Sequence, residues 1–201
     1  LSFKTPLGEN WLLGSKFILR GTGLGSNSSI KGELSSLYAG YHNGSTTLNI
    51  GKLEFPGLLY SKSESISDNY PFVMLPSEVY SSIDPFSSIT GGEFSYQNLL
   101  NQGEFSVQAD AYTGFGTSDL DLGGKTPTTL QTKNDTVVGA ALTLKHQKTL
   151  SLKLSYTFAS LYGKRLYNGV STKVSGLHSS VLTAGVKAHF KILNLTSEYI
   201  R

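Results

Sequence analysis

Residues Thr149–Ser160 read TLSLKLSYTFAS. Leu150, Leu152, Leu154, Tyr156 and Phe158 alternate with Ser151, Lys153, Ser155 and Thr157. In an extended strand successive side chains point to opposite faces, so this stretch predicts a strand with one wholly apolar and one wholly polar side. The same rhythm returns at Val181–Lys191, where Leu182, Ala184, Val186, Ala188 and Phe190 oppose Thr183, Gly185, Lys187, His189 and Lys191. At Glu104–Tyr112, Phe105, Val107, Ala109 and Ala111 oppose Glu104, Ser106, Gln108, Asp110 and Tyr112. Val138, Ala140, Leu142 and Leu144 oppose Gly139, Ala141, Thr143 and Lys145, and Trp11, Leu13, Phe17 and Leu19 oppose Lys16 and Arg20.

In these five stretches every charge lies on the polar side. A β-sandwich also alternates, but a membrane barrel must keep charge off its lipid face, where Lys or Arg costs about 2–4 kcal/mol at mid-bilayer. Lys52 shares the parity of Leu48 and Ile50, and Arg201 that of Leu193 and Leu195. A position at a strand end, or a bulge at Gly51, would accommodate Lys52.

Composition agrees with this pattern. Hydrophobic residues make up 38% of the 201-residue chain and charged ones 15%, against roughly 45–50% and about 25% in soluble domains. Strands that turn every second residue to water produce such averages. Tyr 11, Phe 10 and one Trp supply large groups to bury, which argues against disorder. A net charge of +3 gives no basis for nucleic-acid binding. There is no cysteine, as expected where thiols would be oxidised. No apolar run approaches the ~18 residues of a transmembrane helix.

The connections alternate short and long. Short turns are expected at Pro6–Asn10, Asn43-Gly44, Asn101-Gln102, Gln147-Lys148 and Lys191-Ile192, and long ones near 21–30, 55–91, 115–134 and 161–178. Short turns on one rim and long loops on the other belong to membrane barrels. The expectation is an all-β transmembrane antiparallel up-and-down barrel. Residues 1–201 form one domain of about nine to ten strands, starting near 11, 31, 45, 92, 103, 135, 149, 179 and 192 with a tail before Pro6. They are one part of a larger barrel.

Segment 55–91 reads FPGLLYSKSESISDNYPFVMLPSEVYSSIDPFSSITG. Structureless loops of this length are generally functional, and its aromatic and Pro content predicts packing. Folded into the lumen as a pore-constricting loop, it would set Glu64, Asp68, Glu78 and Asp84 against Lys16, Arg20, Lys153 and Lys187. Opposed charges across a constriction sort small solutes. Tyr80, Glu104, Asp110, His189 and Lys191 complete the expected pore-lining set. The other reading of the loop is an extracellular cap or an oligomer contact.

Here a resemblance enters. Gly51-Lys52-Leu53, Leu59-Tyr60-Ser61, Tyr70-Pro71, Pro76 to Tyr80, and Pro85 to Ser88 followed by Gly91 form an ordered set that resembles a stretch of Gram-negative general-porin-like proteins. It covers about 45 residues. The resemblance implies a water-filled, trimeric porin in the cell outer membrane, with more strands than this chain holds. Its partners would be outer-membrane lipids and small hydrophilic solutes.

Other motifs carry less. Gly21-Thr22-Gly23-Leu24-Gly25 lacks the following helix that a phosphate loop needs. The sequons at Asn27, Asn43, Asn134 and Asn194 are chance matches in Asn- and Ser-rich sequence. His42 and His146 fall at turns, His178 in a loop, and His189 on the polar face without clustered Ser and carboxylate partners, so no catalytic constellation is expected. Neither a cofactor nor a metal site is expected. Passive diffusion of solutes or ions is the favoured function. A plugged, adhesive barrel and a soluble all-β binding module are the rivals.

Overall fold

The computed structural model describes residues 1–22, 29–57, 88–121, 128–147, 149–167, 170–190 and 193–200. They form ten strands: β1 (Ser2–Pro6), β2 (Trp11–Thr22), β3 (Ser29–Asn43), β4 (Thr46–Glu54), β5 (Ser88–Leu100), β6 (Phe105–Asp121), β7 (Thr128–His146), β8 (Leu150–Tyr167), β9 (Val170–Phe190) and β10 (Leu193–Ile200). Every strand pairs antiparallel with its sequence neighbour, in the order β1 to β10, and β1 and β10 are the edges of this open sheet.

The alternation seen in the sequence becomes two faces. On β8, Leu154 and Tyr156 are each 52% exposed, while Ser155 and Thr157 between them are 2% exposed. The register carries this division across the sheet. Ala141 pairs with Ser155 and Ser155 with Thr183 on the polar side, and Leu142 with Leu154 on the apolar side. The ordinary pattern of a soluble domain is inverted, since among the described residues the exposed large apolar side chains outnumber the buried ones several-fold. Aromatic groups sit near both ends of the apolar face: Trp11 meets Tyr41 edge-on at the short-turn end, and Phe158 stacks on His178 towards the other.

The sheet curls. Gly57, three residues beyond the end of β4, accepts a hydrogen bond from Thr183 on β9. Five inter-strand spacings would separate β4 from β9 by about 24 Å in a flat sheet, whereas three residues reach no more than about 11 Å. The polar face is therefore the concave one. Tyr112 on β6 likewise reaches over β7 to bond Thr157 on β8 at 2.7 Å.

Several boundaries differ from the sequence expectation. The hairpin loop between β3 and β4 is Gly44-Ser45 rather than Asn43-Gly44, because Asn43 pairs with Thr46. Gly44 alone of the two takes a positive φ, +56°, which puts glycine at the first turn position as a type II′ hairpin requires. The expected loops 115–134 and 161–178 are largely strand. β6 continues to Asp121 and β7 starts at Thr128, and only residues 168 and 169 separate β8 from β9. His178 accordingly lies in β9 rather than in a loop. These stretches mix apolar and polar residues at both parities, so no apolar rhythm marked them, although their ladders continue. The strict short–long alternation fails at β8–β9, where strand length replaces loop length.

No bulge occurs at Gly51. The β3–β4 ladder runs unbroken from Leu37↔Lys52 to Asn43↔Thr46. Lys52 lies two residues from the end of β4, and its ammonium donates to the Leu34 carbonyl at 2.6 Å. The bulge is in β3 instead, where the register shifts between Lys16 and Phe17 and leaves Ser35 without a cross-strand partner.

Candidate functional site

The concave face is where the described polar side chains converge, and the start of the β4–β5 connection is its central feature. β4 ends at Glu54 and the chain turns inward. Phe55 is 2% exposed, and Pro56 and Gly57 are buried. Lys153 Nζ donates to the Pro56 carbonyl at 2.5 Å. Ser155 Oγ and Thr183 Oγ1 lie 2.6 Å and 3.0 Å from the Gly57 carbonyl oxygen and 2.7 Å from each other, so their two hydroxyl protons are shared over three contacts with Gly57 as an acceptor. A buried carbonyl must be paired, and here two strands of the opposite wall pair it.

Buried apolar side chains share the concave face with this strap. Leu53 pairs with Ile89 across β4 and β5, and both are buried with Val137 and Ala159. The Phe55 ring meets Tyr112 edge-on at 5.6 Å, a favoured aromatic geometry. Tyr112 in turn lies across its ladder partner Gly139, where a Cβ would come 2.5 Å from the phenolic oxygen. Ile89 thus belongs to β5, which begins at Ser88 rather than near residue 92.

Lys16, Glu93 and Asp110 on this face are buried and partnered, as burial demands. Lys16 and Glu54 form an ion pair of 2.6 Å, and the Ser35 hydroxyl donates to the same Glu54 oxygen at 3.0 Å. Glu93 accepts from Asn49 Nδ2 at 3.2 Å. Asp110 accepts from Ser95 at 2.5 Å and from Gln108 at 2.8 Å. Glu54, Glu93 and Asp110 thus lie on β4–β6 and the cations Lys153 and Lys187 on β8–β9, while a further carboxylate, Glu198 of β10, pairs with Gly185 on the same face, two residues from the partner of Lys187.

Of the expected pore-lining set, Lys16, Asp110, Lys153 and Lys187 lie on the concave face, Lys16 beside a wall carboxylate. His189 is exposed near the short-turn end of β9. Glu104 caps the turn after the 3₁₀ helix Asn101–Gly103, where Asn101 Nδ2 donates to its carboxylate, so it sits on the rim. Glu64, Asp68, Glu78, Tyr80, Asp84 and Lys191 lie outside the described residues, as does the side chain of Arg20.

Three carboxylates were missed, Glu54, Glu93 and Glu198. Glu93 alternates with Phe94 inside the strand expected from near residue 92, so parity alone made it readable, as it did Glu198 between Ser197 and Tyr199. Glu54 was not readable, because only the inward turn of the chain brings it to Lys16. No protein-family model matches the chain, and no curated protein sequence matches it. Among the described residues no three His, Asp or Glu side chains gather as a metal site.

Proposed function

We propose that the chain is part of an outer-membrane porin through which small hydrophilic solutes or ions diffuse passively. The carrying observation is the pair of faces: a broad exposed apolar face and a concave face of partnered polar groups. Each large apolar side chain left in water forgoes roughly 1.5–3 kcal/mol of burial. Soluble monomers carry contiguous apolar patches of roughly 300–600 Å² at most, and larger ones mark contact with protein or lipid. Lipid satisfies this face at no such cost. The long strands support the same reading, since about 9–11 residues cross a bilayer and β6 to β9 have 17, 19, 18 and 21.

On this reading the strap at Phe55–Gly57 narrows the lumen. The cations of β8–β9 and the carboxylates of β4–β6 set the field that a solute crosses. Transport needs no chemistry. Edges in lipid leave backbone groups unpaired, so β1 and β10 join further strands that close the barrel. The assembled protein is a trimer in the outer membrane of a Gram-negative bacterium.

The apolar cluster of Leu53, Phe55, Ile89, Val137 and Ala159 favours a second reading, a plugged barrel that binds partners through its loops. Liposome swelling separates the two. Vesicles holding the full-length protein should swell in isosmotic solutions of small sugars, more slowly as solute size rises. Vesicles that hold folded protein and do not swell would favour the plug.

A further inference from the structure

On the concave side of β1–β5 lies a cavity of about 360 Å³, separate from the strap's anchors on β8 and β9. Its volume is at the lower end of the roughly 300–1,000 Å³ typical of small-molecule sites. Lys16 and Glu54, joined as an ion pair, form part of its lining, with Asn49 and Glu93, which are also bonded to each other. Tyr38 adds an aromatic wall and lies across Gly14, where a Cβ would come 2.5 Å from the ring. The lining cations Lys4 and Lys16 balance the lining anions Glu54 and Glu93.

A site of balanced charge gives an ion of either sign no net attraction. It offers donors and acceptors at close spacing, together with one aromatic surface. Those features match a solute that carries both hydroxyl donors and C–H faces. We propose that this cavity is a weak binding site for a neutral, hydroxyl-rich solute of monosaccharide size, a station on the diffusion path. This rests on the porin reading for its purpose, but the binding itself does not require current to flow.

Saturation-transfer NMR on the detergent-solubilised full-length protein with methyl α-glucoside as probe tests it. The expected result is saturable transfer that persists from low to high KCl. It should weaken about tenfold in Glu93→Ala, which removes an acceptor, and in Ser36→Leu, which fills the cavity wall. Far-UV circular dichroism checks that each variant is folded, and Ser36→Leu stands in if Glu93→Ala is not. Absence of saturable transfer in the unaltered protein overturns the site, as does transfer that folded variants leave unchanged. Transfer that falls with salt overturns the neutral class. A conducting protein that does not bind the glucoside sinks this proposal alone. One that binds without conducting sinks the porin reading alone.

Discussion

Ser155 on β8 donates its hydroxyl at 2.6 Å to the carbonyl of Gly57, a residue 98 positions earlier in the chain. Thr183 on β9 bonds the same carbonyl. This contact joins the segment leaving β4 to the strands β8 and β9.

Replacing both hydroxyls (Ser155→Ala with Thr183→Val) leaves the Gly57 carbonyl buried and unpaired, a cost of about 1–3 kcal/mol. The expected outcome is a lower unfolding temperature in detergent together with faster liposome entry of the larger sugars. Unchanged stability and an unchanged size limit would show that the strap is held elsewhere.

The Tyr112 ring fills the space that a side chain on Gly139 would occupy. Gly139→Ala should push the ring away from Thr157 and Phe55 and cost about 1–3 kcal/mol by overpacking. Gly92→Ala is the control, since a methyl group there would come no closer than 3.8 Å to its nearest neighbour, the Asn49 carbonyl oxygen. Unfolding midpoints in detergent check this, and equal midpoints for the two variants would contradict it.

Much of this was legible beforehand. The alternation at Leu150–Phe158 announced β8, its apolar side and the inward side of Lys153 and Ser155. The strand extensions were not legible, because apolar and polar residues mix at both parities there and leave no period to read. Glu54 was hidden for another reason: parity assigns it to the apolar face, and the bend at Phe55 overrides parity. The tie from Gly57 to Ser155 and Thr183 involves backbone carbonyls, which carry no mark in sequence.

Leu154 lies within the exposed apolar face. In lipid, Leu154→Arg should cost about 2–4 kcal/mol if the residue sits near mid-bilayer, whereas on a water-facing surface it would be close to neutral. Reversible urea unfolding in phospholipid vesicles measures the difference. A loss below about 0.5 kcal/mol would argue that the face does not meet lipid.

Lys187 lies on the concave face opposite the carboxylate-bearing strands. Reversing its charge (Lys187→Glu) should shift the zero-current potential in a salt gradient towards cation preference. A potential that does not move would place the ion path away from β9.

Single-channel recording of the full-length protein in a planar bilayer tests the central claim most directly. The account predicts discrete current steps whose size grows with salt concentration. Folded protein that inserts into the bilayer and carries no current would contradict it.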